Sequence, residues 1–207
     1  MPEITEAELK KQISSSNFQN LYFLYGQEKY LISYYMKKLA EKAAGNQFQD
    51  FNFQKFDGGE AGADQIADAV QALPFLSVRK CVLVTDPVVD APKATEAKKW
   101  KEMVSTLPET TVLVVAVPNS EFEEKQRKNG KKFLDFMKKY GCTVRLDRRT
   151  GAQLKKILCS GAQKRGCVLS PRNADRLVAS CGSDLTTLLH ELEKLCSYVK
   201  EGEITAQ

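Results

Sequence analysis

Histidine is nearly absent from this chain. One histidine, His190, serves all 207 residues. Multi-histidine metal sites are thereby excluded, and acid–base catalysis is poorly supplied. Six cysteines (Cys81, Cys142, Cys159, Cys167, Cys181 and Cys196) are dispersed and form no CxxC pair. That spacing suits neither a zinc site nor a disulfide framework. Most of them lie within apolar patterns, so reduced core thiols in a cytoplasmic protein are expected. No GxSxG elbow occurs, which removes one common frame for a nucleophilic serine. No apolar run approaches about 18 residues, so no transmembrane helix and no membrane partner are expected. The opening Met1-Pro2-Glu3 is polar and acidic, from which no signal peptide is expected.

What remains is an ordinary globular composition. Apolar residues make up 43% and charged residues 28%, enough to build a core. The net charge of +5 permits an acidic partner or nucleic acid but does not demand one.

Strand and helix patterns alternate five times. Leu21 to Tyr25 is a continuous apolar run ending at Gly26, as suits a strand buried on both faces. Ile32, Tyr35, Met36, Leu39 and Ala43 then recur at helical spacing, up to Gly45-Asn46. Phe51 to Phe56 alternates at period two and reads as a strand near an edge. A helix carrying Ile66, Ala69, Val70 and Leu73 precedes a strand from Cys81 to Thr85. Trp100, Met103, Val104 and Leu107 mark the next helix, and Thr111 to Val117 is the strongest strand. Residues Glu121 to Gly130 read as a charged loop. Phe133, Phe136, Met137 and Tyr140 mark a helix before the strand Cys142 to Leu146. Buried strands with helical crossovers predict a mostly parallel five-stranded α/β sheet covered on both faces.

From about residue 148 the pattern is only helical. Thr150 can cap a helix carrying Leu154, Ile157 and Leu158. Ser170-Pro171 supplies an N-cap and a first-turn proline, and Gly182 ends that helix. Ser183-Asp184 opens a last helix with Leu185, Leu188, Leu189, Leu192 and Leu195. Three amphipathic helices bury their stripes against one another, so residues 1–147 are expected to form the α/β domain and 148–207 a small three-helix bundle. Glu203 to Gln207 looks like the start of another element, so the chain is expected to be part of a longer protein.

An α/β domain followed by a helical bundle suggests a nucleotide-dependent AAA+ module, and the first strand-to-helix turn tests it. A P-loop needs GxxxxGK[ST], whose backbone N–H groups and lysine hold phosphate while its hydroxyl holds magnesium. Here the turn is Tyr25-Gly26-Gln27-Glu28-Lys29-Tyr30. It has one glycine, and Glu28 puts negative charge where phosphate would lie. Lys29 is a weak mimic of the missing lysine, and the GxGxxG fingerprint fails as well. Asp86 follows a strand as a metal-binding carboxylate would, but Pro87 stands next, so it reads as a turn residue. No catalytic residue, cofactor or metal is therefore expected.

Two stretches remain as candidates for contact. Leu73-Pro74-Phe75-Leu76-Ser77 places large apolar side chains in a connection, which normally runs over the surface. If exposed, Leu73, Phe75 and Leu76 would be anchors for a partner's pocket. Spacing alone favours the alternative, that Phe75 and Leu76 tuck back under the sheet. The second stretch is basic: Lys125, Arg127, Lys128, Lys131, Lys132, Lys138 and Lys139. Lys128, Lys131 and Lys132 are candidates for contact with DNA or a partner. Glu121, Glu123, Glu124 and Asp135 dilute the patch, which favours a solvated face.

In order along the chain, three segments resemble the delta subunit of the bacterial DNA polymerase III clamp loader. They are Leu21 to Ile32, Leu73 to Lys80 with the strand Cys81 to Val84, and Gly182 to Leu185 continuing through Glu191 to Leu195. The resemblance implies an AAA+-like first domain without ATPase activity, a three-helix second domain, and a third, collar domain that this sequence does not reach. It implies a non-catalytic subunit of the DNA-directed DNA polymerase holoenzyme. Its partners would be the sliding clamp (beta subunit), the delta prime and tau/gamma subunits, and primer-template DNA. It also implies that Leu73, Phe75 and Leu76 enter a pocket on the clamp and disfavour its closed ring interface. Two other readings stay open: an active AAA+ ATPase with a degenerate nucleotide site, and a stand-alone nucleic-acid-binding protein.

Overall fold

A computed structural model describes residues 3–45, 49–88, 94–120, 122 and 128–205. The chain divides into two compact units, Met1–Leu146 and Asp147–Gln207.

In the first unit, α1 (Glu6–Ser15) leads to β1 (Leu21–Tyr25) and α2 (Lys29–Ala44). Next come the short α3 (Gln49–Asn52), β2 (Phe53–Asp57), α4 (Ala63–Gln71) and β3 (Lys80–Thr85). The unit continues with α5 (Ala94–Ser105), β4 (Thr111–Ala116), α6 (Lys128–Tyr140) and β5 (Cys142–Arg145). The five strands form one parallel sheet in the order β2-β3-β4-β1-β5. This is the predicted α/β architecture.

The central strands are apolar at every position because both faces are covered. Leu21, Phe23 and Tyr25 of β1 point to one face and join Ile66 and Val70 of α4, Met103 and Val104 of α5, and Leu134 and Met137 of α6. Tyr22 points to the other face, where its hydroxyl donates to Gln12 of α1 at 2.6 Å. Helix α2 packs on that side as well. The edge strand β2 is half-exposed, as its alternating pattern suggests.

Several element boundaries differ from the sequence reading; Leu73 and Leu107, read on helices, lie past the ends of α4 and α5. Phe51 and Asn52 are not in the strand; they close α3, and β2 begins at Phe53. The cause is tertiary, because the Asn52 side chain bonds the backbone of a distant residue, Phe75. Lys128 to Gly130, read as loop, form the first turn of α6.

The second unit holds α7 (Gly151–Gln163), α8 (Pro171–Cys181) and α9 (Leu185–Val199). Each starts on a cap legible in the sequence. Thr150 and Gln153 form a reciprocal capping box, Ser170 accepts from Asn173, and Asp184 accepts from Thr187. Leu154, Leu158, Ala174, Leu185, Leu188 and Leu192 are buried. A two-stranded ladder, β6 (Cys167–Val168) with β7 (Gly202–Glu203), was not foreseen. Each strand is too short to show a period.

Candidate functional site

In a parallel sheet the strand-to-helix turns lie at one edge and the helix-to-strand connections at the other. The two edges of this sheet differ in chemistry.

Ligands of open α/β sheets bind at the carboxyl edge, at the point where strand order reverses. Here that point lies between β1 and β4. The turn after β1 is tied down by the chain itself. Gly26 sits at φ 131, and a Cβ there would meet the Leu146 carbonyl oxygen at 2.2 Å. The Glu28 N–H donates to that carbonyl at 2.9 Å, so it is not presented to a phosphate. Lys29 reaches across the crevice and donates to the backbone carbonyls of Val117 and Ser120. Asp86, at φ 48, accepts from the Asn119 N–H at 3.2 Å and amide at 2.8 Å, and from the Ser120 N–H at 2.9 Å and hydroxyl at 2.8 Å. Burial alone would push the Asp86 carboxyl up, but these donors from Ser120 and Asn119 outweigh it and hold it below the usual range. Lys29 and Asp86 thus organise the loop after β4. Among the described residues, no cluster of three His, Cys, Asp or Glu side chains is placed to hold a metal ion.

The amino edge carries the apolar tip. Helix α4 ends at Gln71, two residues before Leu73, and β3 begins at Lys80. Between them Leu73 is 83% exposed, Phe75 48% and Leu76 73%, with Val78 exposed beside them. The burial favoured by spacing alone does not occur. The connection is nonetheless firmly held. The buried Lys80 ammonium donates to the Ala69 carbonyl, and burial pushes its pKa down. The Thr111 hydroxyl donates to the Val70 carbonyl at 3.0 Å. Gln71 donates to the carbonyl and hydroxyl of Thr106, both at 3.2 Å. Orphan carbonyls at the end of α4 are thereby satisfied, and the tip projects from a fixed base. Leu76 itself adopts φ 48, a left-handed conformation that a leucine rarely takes.

The sequence reading missed three residues at this site: Phe51, Asn52 and Val78. Phe51 is 66% exposed, and its ring centroid lies 5.0 Å from that of Phe75. Its one legible signal was an aromatic residue in an edge-strand pattern.

The basic candidates are not at the tip. Lys131 and Lys132 are exposed on α6. Lys132 lines an apolar groove with Trp100, Phe133 and Phe136. The side chain of Lys128, and Lys125 and Arg127 altogether, lie outside the described residues. Lys138 pairs with Glu3 at 2.8 Å, and Lys139 lies over the Tyr140 ring. His190 is exposed on α9. Cys81, Cys142, Cys167 and Cys196 are buried, and all six cysteines are unbridged. Among the described residues, no helix is long and apolar enough to cross a membrane.

Fold and site together define a class: a parallel α/β unit with an AAA+-like fold, whose carboxyl edge carries Lys29 and Asp86 bonded to the loop after β4 and whose opposite edge carries an exposed apolar tip. The sequence pattern of the DNA polymerase III delta subunit family matches residues 22–147, well over half of the chain. The chain belongs to that family. Among curated proteins, DNA polymerase III subunit delta of Bacillus subtilis (strain 168) is 25% identical over 201 residues, covering 93% of this chain and 56% of the relative. The chain therefore spans little more than half of that relative's length. A solved Bacillus subtilis DNA clamp loader delta protein superposes with a TM-score of 0.70 at 22% identity, over 96% of this chain and 59% of that one. A Thermotoga maritima protein related to the DNA polymerase III gamma subunit gives a TM-score of 0.57 at 16% identity, over 91% and 60%. The Holliday junction branch migration motor RuvB of the same organism gives 0.55 at 12%, over 97% and 65%. At those identities the structural likenesses establish the fold alone.

Proposed function

We propose that this chain binds the sliding clamp through Leu73, Phe75 and Leu76 and opens its ring interface without hydrolysing nucleotide itself. The observation that carries the reading is the exposure of these three side chains on a firmly held connection. Exposed apolar clusters on an otherwise polar surface mark contact sites. Burying one Phe or Leu completely stabilises a contact by about 1.5–3 kcal/mol. Phe75 begins half-covered, so its share is smaller. Two or three such anchors on an ordered tip support roughly micromolar affinity.

Opening needs no chemistry at this subunit. A two-state ring shifts toward the open form whenever a ligand binds that form more tightly. The closed edge at Gly26 to Lys29 fits a subunit that does not hydrolyse ATP. The rest of the role is proposed by likeness to the longer relatives. It includes a third, collar domain, assembly with the delta prime and tau/gamma subunits, contact with primer-template DNA, and a cytoplasmic place in the polymerase holoenzyme. Lys131 and Lys132, with Lys128, are the residues proposed for contact with DNA or a partner.

The test is calorimetry with the sliding clamp of the same organism. Wild-type chain is expected to bind, and Phe75→Ala/Leu76→Ala to lose about 2 kcal/mol or more. Equal binding by both proteins would place the clamp contact elsewhere.

A further inference from the structure

Helix α3 ends on two neighbouring residues that do different things. The Asn52 side chain is 1% exposed. Its Nδ2 donates to the Phe75 carbonyl at 2.8 Å, and its Oδ1 accepts from the Phe75 N–H at 2.7 Å. One amide thus makes both of the bonds that a neighbouring strand would make to a single residue. Phe75 lies outside helix and strand, so this pair sets its backbone position. Phe51, one residue earlier, turns its ring outward. It is more exposed than Phe75, and the two rings meet at 5.0 Å with 39° between their planes.

The pairing has a consequence for shape. Two segments contribute exposed apolar side chains at the amino edge: Phe51 from α3, and Leu73, Phe75, Leu76 and Val78 from the connection after α4, with the Phe51 and Phe75 rings in contact. The two bonds fix the Phe75 backbone, and with it the point from which its side chain leaves the chain. The Phe75 ring is already half-exposed in the free chain. A partner does not have to order it, and pre-ordering of this kind favours affinity.

We infer that the clamp-facing surface is composite, with Phe51 as a second aromatic anchor and Asn52 as the positioning residue that holds Phe75 beside it. The occupant is the sliding clamp, because the Phe51 ring lies against that of Phe75, a residue of the clamp contact proposed above. The inference rests on the function proposed above. It adds that the receiving pocket is apolar and wide enough for two rings in contact.

The experiment is calorimetry with the clamp of the same organism, using Phe51→Ala, Asn52→Ala, Phe75→Ala and Asn52→Ala/Phe75→Ala. Phe75→Ala/Leu76→Ala is the reference, and thermal melts accompany each variant. Phe51→Ala is expected to melt as wild type does and to bind about tenfold more weakly. Asn52→Ala is expected to weaken binding about fivefold in the wild-type background and by less than about twofold once Phe75 is alanine. A residue with its own clamp contact, or one that merely stabilises the fold, would weaken binding equally in both backgrounds, and that result would overturn the positioning role. Binding of Phe51→Ala within about twofold of wild type, while the reference variant loses binding, would overturn the second anchor and leave the three-residue tip standing. Undiminished binding by the reference variant would remove the tip reading and this inference with it. If Asn52→Ala does not fold, the Phe51 arm decides, since its exposed ring can be truncated without opening a cavity.

Discussion

Leu76 combines two features that stability alone does not explain. It is a large apolar side chain in solvent, and its φ of 48 costs a non-glycine residue about 1–2 kcal/mol. Strain of this kind at an exposed apolar residue fits the contact proposed there. Leu76→Gly relieves the strain and returns part of the gain as unfolded-chain entropy, roughly 0.5–1 kcal/mol. The expected outcome is a melting temperature unchanged or slightly raised, with clamp binding weakened. A fall of several degrees would mean that the side chain supports the fold. Asp86 gives the opposite pattern. Asp86→Ala removes the acceptor for four donors and is expected to cost about 1–3 kcal/mol in denaturant unfolding, with clamp binding unchanged. The pH dependence follows from the same bonds. The folded-state pKa of Asp86 is depressed, and so is that of Asp184, whose carboxylate is held mainly by the Thr187 N–H and hydroxyl. Their stabilisation is fully present above the unfolded aspartate value of roughly 3.9 and is lost as pH falls through the lower folded values. Acid titration of stability should therefore steepen below about pH 4 in wild type, and less so in Asp86→Ala. At this scale the sequence shows Leu73, Phe75 and Leu76 as an apolar run in a connection, and Asp86 as a turn residue. It does not show a backbone conformation such as that of Leu76, nor the Asn52 latch, whose partner is 23 residues away.

Elements were far more legible than single residues. Uninterrupted apolar runs marked β1, β3 and β4 because both faces of the sheet are covered, and stripes at helical spacing marked α2, α4, α6 and the three helices of the second unit. Caps at Thr150 and Ser170 fixed two helix starts to the residue, and Ser183-Asp184 placed the third to within one. Reading failed where a long-range bond overrode local pattern. Phe51-Asn52-Phe53 alternates like a strand, yet the demand of Asn52 for its partner on Phe75 holds the first two residues in α3. The turn between β1 and α2 offers a test at this scale. Gly26→Ala forces a Cβ onto the Leu146 carbonyl at a φ that L residues avoid, and should destabilise the first unit by roughly 2–4 kcal/mol. Urea unfolding measures it; a loss below about 0.5 kcal/mol would mean that the turn is free to rearrange.

In the first unit the sheet separates two edges of different chemistry. The carboxyl edge is occupied by Lys29, Asp86 and the loop after β4, while the amino edge presents the tip. The sequence shows that the turn after β1 lacks Gly-Lys-Ser/Thr, but not that Lys29 and Asp86 bond the loop after β4. The place of the tip also needed the structure, because only strand order says which connections share an edge. Equilibrium dialysis against ATP and magnesium is expected to give no saturable binding up to roughly millimolar concentration; micromolar affinity would revive the degenerate-ATPase reading.

The central claim is that binding at the amino edge opens a ring with no nucleotide present. The direct measurement uses a sliding clamp labelled with a donor–acceptor pair across its ring interface and mixed with this chain in nucleotide-free buffer. Energy transfer is expected to fall saturably with wild-type chain and to stay at the free-clamp value with Phe75→Ala/Leu76→Ala. Binding confirmed by calorimetry with no change in transfer, or a change that requires ATP, would contradict the account.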